Sequence, residues 1–202
     1  MPNEAPVRDP NPYAAPKADV QSLHGQAVDG EPLYYTMSPA KLAAMIALTM
    51  GLYSLVWFYR HWQTIRQRFE EDIWPVPRAL FGVISCFWLT KRLQERLGSQ
   101  ELPAPPGLAS AAMLYFALSL GGNVLGRFDT ISTNVLSMLL VPVTAVALVP
   151  VQQAANASTA AAGVRELDNR GIQVTTVLGV ALGLMLWGFW IATILDPTLA
   201  EN

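Results

Sequence analysis

The amino-acid sequence predicts an all-α fold: a polytopic membrane helix bundle with four transmembrane helices, one short apolar helix and a disordered, proline-rich N-terminal tail. Hydrophobic residues make up 52% of the 202-residue chain and charged residues 14%, whereas roughly 25% of the residues in a soluble domain are charged. The charges are also segregated, since Arg127 and Asp129 are the only ones between Leu102 and Val164. These observations exclude an ordinary soluble domain and a wholly disordered chain.

The first 37 residues differ from the rest of the chain. They contain six of the fifteen prolines, and acidic residues outnumber basic ones five to two. Such a segment cannot bury enough apolar surface to offset the entropy lost on ordering. We therefore expect residues 1–37 to form a flexible tail and residues 38–197 to form the helical membrane domain.

The predicted transmembrane helices cover residues 42–59, 108–126, 131–151 and 172–195. The first is an 18-residue run without a charge, which as a helix rises about 27 Å and nearly matches the roughly 30 Å hydrocarbon core of a bilayer. Ser38 and Pro39 suit its N-cap and its first helical position. The third contains Pro142 and Pro150, which are expected to kink it.

A short apolar helix is predicted at about residues 78–97. Only 12 uncharged residues, Ala79 to Thr90, precede Lys91, and this run rises roughly 18 Å, which is short for a span. The helix is therefore either re-entrant or interfacial, or it is a fifth span. Lysine and arginine are more frequent on the cytoplasmic side of a membrane protein. With four spans, this rule places both termini outside the cytoplasm. With five spans, the N-terminal tail lies inside.

Short motifs occur along most of the chain. They are Asn11-Pro12-Tyr13-Ala14-Ala15-Pro16, Ser38-Pro-x-Lys41, Thr49-x-Gly51-Leu-Tyr53-x-x-x-Trp57-Phe-Tyr59, Trp62, Trp74-Pro-x-Pro-Arg78-Ala-x-Phe81, and Val149-Pro-x-Gln152 followed by Asn156. Together they resemble a family of uncharacterised bacterial inner-membrane proteins, classed as a domain of unknown function. The resemblance implies a multi-pass protein of the bacterial cell (inner) membrane. It implies no activity.

Three groups of residues are candidate sites. Gly179, Gly183 and Gly188 are candidate helix-packing residues, since small residues four apart let helices approach closely. Gln152, Gln153 and Asn156 form either a docking surface for a cytoplasmic partner or a polar face that meets lipid headgroups, because residues four apart share a helix face. The candidate lipid-headgroup and topology residues are Arg60, Arg66, Arg68, Arg78, Lys91 and Arg92.

The sequence contains no motif for catalysis, for a cofactor or for a metal, and the predicted span centres lack the ionisable residues that coupled transport requires. We expect a non-enzymatic protein that works through helix packing, with the bilayer, other membrane proteins or a second copy as partners. A net charge of −2 gives no reason to expect nucleic acid binding. The alternative is a passive channel or carrier for an uncharged small solute, with a polar cavity near Asn123 and Asn134.

Overall fold

The computed structural model describes residues 32–128, 130–163 and 174–195. All regular secondary structure in these ranges is α-helical, which confirms the all-α prediction. The helices are α1 (Pro39–Leu48), α2 (Tyr53–Arg68), α3 (Pro75–Leu80), α4 (Gly82–Ser99), α5 (Leu108–Leu125), α6 (Ile131–Ala161) and α7 (Val174–Leu195).

Among the described residues, α5 and α6 are the two helices long and apolar enough to cross a membrane. They pack against each other along their lengths as an antiparallel pair. The 31 residues of α6 give it a length of about 46 Å, so it extends well beyond α5. A loop was predicted to follow residue 151, but the helix continues to Ala161 because this alanine-rich stretch has high helix propensity.

Residues 42–59 were predicted to form one span, but they form parts of two helices. The chain leaves α1 through Met50 and Gly51, whose φ angles are +50° and +84°. The Gly51 N–H donates to Ile46 O over 2.8 Å, which is the closing bond of a Schellman C-cap. Thr49 connects the two helices, because its hydroxyl donates to Met45 O at 2.7 Å and accepts from the Tyr53 N–H at 2.9 Å.

Helix α1 packs along α6, and α2 turns back from the tip of this α1–α2 hairpin toward the end of α6. Before α1, Met37 O accepts a hydrogen bond from Asn156 near the end of α6. At the tip of the hairpin, a methyl group on Gly51 would lie 3.4 Å from Val141 Cγ1. The return helix then brings Trp57 to within 2.6 Å of Gln152. Both ends of the hairpin therefore lie beside the last third of α6.

The predicted short apolar helix at about 78–97 corresponds to α4, with the single-turn α3 before it. Leu89 and Leu93 on its inner face are fully buried, whereas Ile84 and Trp88 on its outer face are more than half exposed. The segment before α3 contacts α4 through the Glu71–Arg92 ion pair. The chain leaves α4 at Gln100, which hydrogen-bonds to Ser158 at the end of α6. The segment thus starts and finishes at one end of the molecule.

The predicted flexible tail ends earlier than expected. Leu33, Tyr34 and Met37 are at most 4% exposed, so residues 33–37, here called the strap, belong to the folded core. The strap is ordered because its apolar side chains are buried and α6 supplies hydrogen bonds to its backbone. The prediction for residues 1–31 lies outside the described residues, as does the start of the predicted span 172–195.

Candidate functional site

A cleft of about 810 Å³ lies between the tip of the α1–α2 hairpin, the second half of α5 and the first half of α6. Asn123 and Arg127 line it near the α5–α6 turn. Ser54, Tyr115 and Thr144 line its deeper part, beside the hairpin tip. The cleft therefore exists because α1 and α2 turn back at Met50–Leu52 instead of continuing along α5 and α6.

Three hydroxyl groups of the cleft donate their protons to its own walls. Ser54, Ser137 and Thr144 donate to the carbonyl oxygens three residues earlier in the chain, over 2.7, 2.8 and 2.6 Å. The Asn123 amide donates to Ser119 O over 2.8 Å. These groups thus need no ligand or water to bind their protons, and the walls are less polar than their residue types suggest.

Aromatic rings close the inner end of the cleft. The Tyr115 ring lies 5.8 Å from Phe58, Phe58 lies 4.9 Å from Trp57, and Trp57 lies 4.4 Å from His61, all measured between ring centroids. Tyr115 is 6% exposed and the other three are fully buried. Asn123 lines this cleft, whereas Asn134, the other residue named for the predicted polar cavity, is not among its lining residues. The cleft ends at these rings.

Below the rings, Gln152 fastens the strap and α2 to α6. Its carbonyl accepts from Trp57 Nε1 at 2.6 Å, and its amide donates to Tyr35 O at 3.0 Å and to Asn156 Oδ1 at 2.7 Å. The Asn156 amide in turn donates to Met37 O at 2.8 Å. Gln152 has no exposed surface and only Gln153 faces outward. The predicted docking surface is therefore wrong for Gln152 and Asn156, which bind the chain's own backbone.

His61 lies within this core without a hydrogen-bond partner for either ring nitrogen. Its ring packs edge-on against Trp57 at 4.4 Å and Tyr35 at 5.9 Å between centroids. Burial lowers the pKa of His61 to about 3, and the nearby Gln152 amide opposes this shift only in part. The imidazole is therefore neutral at physiological pH. Sequence reasoning missed this residue, since a lone histidine beside an apolar run gives no pattern.

Half of the predicted lipid-headgroup residues bind other parts of the protein instead. The Arg78 guanidinium lies over the Trp62 ring at 4.5 Å. Arg92 pairs with Glu71 and lies over the Phe69 ring at 4.5 Å. Both guanidinium groups therefore contact aromatic rings of the protein itself.

Arg68 is the third such residue, since its Nε donates to Pro32 O at 3.1 Å. Arg60, Arg66 and Lys91 are exposed, although Lys91 lies 3.8 Å from Glu95. These three stay candidates for contact with headgroups.

The candidate packing glycines differ in what they contact. A methyl group on Gly183 would overlap Leu48 O, and one on Gly179 would lie 3.6 Å from the Met45 side chain. Trp187, one helical turn beyond Gly183, donates from Nε1 to Ala47 O at 3.0 Å. A methyl group on Gly188 would have no neighbour within 4 Å in the described chain. Gly179 and Gly183 therefore let α7 pack on the end of α1.

The described residues contain no group of three His, Cys, Asp or Glu side chains that could hold a metal ion. In comparisons with known proteins, the chain matches no protein-family model, no curated protein and no solved structure. Functional conclusions therefore depend on the geometry of the cleft, the strap and the outer surface.

Proposed function

We propose that this chain is a non-enzymatic, multi-pass protein of the bacterial inner membrane that works by binding ligands and partner helices within the bilayer. The supporting observation is the outward face of α5 and of α6 as far as Val146. Met113, Leu139 and Val146 there are 61%, 56% and 62% exposed. Soluble proteins rarely expose apolar surface of this extent to water. In a membrane protein such a surface contacts lipid acyl chains instead of water. The motifs named above support the bacterial location.

The apolar surface of α6 ends close to Pro150. Val146 is the last large apolar side chain exposed on this helix, and Gln153, Ala160 and Ala161 are the exposed positions beyond it. The start of α5 lies at the same level, because a methyl group on Gly107 would lie 3.5 Å from the Pro150 ring. Twenty residues, 131–150, rise about 30 Å and match the hydrocarbon thickness. The rest of α6 then projects from the membrane.

In this placement the α1–α2 hairpin is re-entrant. Its tip at Gly51 reaches the level of Val141, about halfway along the crossing part of α6, and both of its ends return to the level of Gln152 and Asn156. An irregular backbone at membrane depth is tolerated where protein covers it or where it lines a cavity. The turn meets both conditions, because Thr49 is buried and Gly51 lines the cleft.

The cations give the orientation. Arg68, Arg92 and Arg96 lie near Pro32 or Tyr34 at the projecting end of α6, whereas Arg127 lies at the opposite end. Since cytoplasmic flanks carry the excess of lysine and arginine, the strap faces the cytoplasm. This orientation replaces the expectation that both termini lie outside. It also makes α3 and α4 an interfacial element of the cytoplasmic leaflet and leaves α5, α6 and α7 as the crossings.

Binding is preferred to catalysis because of what lines the cleft. Its polar groups are hydroxyls, an amide and the Arg127 guanidinium, and none of these is a nucleophile beside a general base. Passive passage of an uncharged solute is the second candidate, favoured by the existence of the cleft. It requires the Tyr115 and Phe58 rings to separate, so Phe58→Ala would increase solute flux into proteoliposomes if the protein conducts.

The topology is tested with single cysteines in a Cys86→Ala background. Ser38→Cys and Arg66→Cys mark the two ends of the hairpin, and Phe128→Cys marks the α5–α6 turn; all three positions are exposed. With a membrane-impermeant maleimide, we expect Phe128→Cys to react in intact cells and the other two only after permeabilisation. Labelling of Ser38→Cys and Arg66→Cys from opposite sides would show that α1–α2 crosses the bilayer and would contradict the proposal.

A further inference from the structure

We propose that the cleft holds one phospholipid of the outer leaflet, with its phosphate at Arg127 and one acyl chain reaching the hairpin tip. This inference rests on the membrane placement described above. It adds a ligand class and a binding pose, which the placement alone does not give.

The depth of the cleft matches the thickness of one leaflet. Arg127 and Tyr115 both line the cleft and are twelve positions apart, which along a helix is about 18 Å. Half of a hydrocarbon core is roughly 15 Å. A lipid whose headgroup lies at Arg127 therefore reaches Tyr115 and Ser54 with the end of its acyl chain.

The walls suit an acyl chain better than a polar solute. Leu118, Met138 and Val141 supply apolar contact along the cleft. The hydroxyl protons of Ser54, Ser137 and Thr144 already bind backbone carbonyls. A polar solute would lose its hydrogen bonds to water and gain few hydrogen-bond donors from the cleft in exchange. An acyl chain has no such hydrogen bonds to lose. The volume of about 810 Å³ falls within the range of ligand sites.

The mouth of the cleft suits a phosphate. Arg127 is exposed and lines the cleft beside Asn123, which lies one helical turn earlier. A guanidinium presents paired N–H donors that fit phosphate oxygens. Asp129 follows two positions later and lies outside the described residues, so the experiment includes Asp129→Asn to measure its effect on binding.

The test is native mass spectrometry of the full chain in detergent, titrated with dioleoyl phosphatidylglycerol. Gly122 lines the cleft, and a methyl group there meets Ser137 O and Leu140 at ordinary distances of 3.8 and 3.9 Å. A Gly122→Leu side chain therefore occupies the acyl path. Gly121→Leu is the matched control, since Gly121 lies on the same helix but outside the cleft lining. Arg127→Gln is paired with Arg66→Gln, which removes an exposed cation at the opposite end.

We expect one tightly retained phosphatidylglycerol per wild-type chain. Gly122→Leu should lower its affinity at least tenfold and Gly121→Leu less than twofold. Because a hydrogen bond to a charged group contributes about a tenfold effect or more, Arg127→Gln should lower the affinity about tenfold, whereas Arg66→Gln and Asp129→Asn should not lower it. Diacylglycerol, which lacks the phosphate, should bind wild type and Arg127→Gln equally.

Three results would overturn the inference: unchanged retention by Gly122→Leu, unchanged retention by Arg127→Gln, or displacement of the lipid by inorganic phosphate alone. If Gly122→Leu does not fold, as thermal unfolding would reveal, Arg127→Gln decides the question. The proposed membrane placement fails on the labelling of Ser38→Cys and Arg66→Cys, and this inference fails on lipid retention. The two failures are therefore distinguishable.

Discussion

The two halves of α6 belong to one continuous helix but lie in different surroundings. In the first half, residues 131–144, Ser137 is the one buried side chain, and Leu136, Leu139 and Val143 point outward. In the second half, residues 145–161, α1 and α4 pack on the helix, and the strap and Trp57 of α2 hydrogen-bond to it. Its buried residues are Ala145, Ala147, Leu148, Val151, Gln152, Ala154, Ala155, Ser158 and Thr159.

The difference shows how one helix adapts to two solvents. The first half gains little from other helices on its outer face and is suited to lipid. The second half uses alanines and serines to let α4 and the strap approach closely, and it uses Gln152 to bind backbone groups that water would otherwise bind. Substitutions in the two halves should therefore have different effects even where the chemistry of the change is the same.

The adjacent glutamines should give the largest contrast. Gln152→Leu removes the hydrogen bonds that Gln152 makes to Trp57 Nε1 and Tyr35 O in the core, and a buried group that loses its partner costs about 1–3 kcal/mol. We expect a loss of about 3 to 4 kcal/mol in the free energy of unfolding, measured by denaturant titration in detergent. The exposed Gln153→Leu is the control and should change it by less than about 0.5 kcal/mol. Equal effects would contradict the network.

A pair of leucines on α6 separates the two halves directly. Leu148 is fully buried and Leu139 is 56% exposed. Leu148→Ala should lower the free energy of unfolding by about 3 kcal/mol, as expected for a core cavity. Leu139→Ala removes the same atoms from a surface in contact with lipid or detergent and should cost less than about 1 kcal/mol. A larger effect at Leu139 would indicate that another helix covers the first half.

Acid should destabilise the core through His61. Burial lowers the pKa of His61 to about 3 in the folded protein, from an ordinary value of 6.5. The unfolded chain therefore binds a proton that the folded chain does not, and stability is lost as the pH falls from 6.5 toward 3. At pH 5 the loss amounts to about 2 kcal/mol. In the His61→Phe variant, the free energy of unfolding should not show this loss between pH 7 and pH 5. If the variant loses as much stability as the wild type over this range, the assignment is contradicted.

The smallest contrast lies between two ion pairs beside the second half of α6. Arg92 and Glu71 are about one-third exposed, whereas Lys91 and Glu95 are about two-thirds exposed or more. Double-mutant cycles with Arg92→Gln and Glu71→Gln should give a coupling of about 1 kcal/mol. The corresponding cycle at Lys91 and Glu95 should give about 0.3 kcal/mol. Raising the salt concentration should reduce the second coupling more than the first.

The sequence predicted α5 and the start of α6 correctly because long runs without charge have few other stable solutions. It failed at the hairpin because hydropathy averages over a window and does not detect one turn. Met50 and Gly51 reverse the chain through two positive φ angles, and Gly51 was the only local signal. That glycine belongs to a motif noted in the sequence, but the motif by itself does not specify a direction for the chain.

The partners of Gln152 could not be predicted for a different reason. Its spacing from Asn156 correctly placed both on one helix face, and they hydrogen-bond to each other. Two backbone oxygens complete the network. Tyr35 O lies 117 positions from Gln152, and Met37 O lies 119 positions from Asn156. They belong to a proline-rich segment whose composition predicts disorder. A pattern along one helix shows that a polar face exists, but the tertiary fold determines what covers it.

The central claim is that α6 leaves the bilayer partway along its length. It is tested most directly by spin labels at its outward positions Leu136, Leu139, Val143, Val146, Gln153 and Ala160, in nanodiscs and a Cys86→Ala background. Oxygen, which partitions into lipid, should relax the labels up to Val146, and a water-soluble nickel chelate should relax those at Gln153 and Ala160. If the last two labels are as inaccessible to nickel as the one at Leu139, the whole of α6 lies in lipid and the account is wrong.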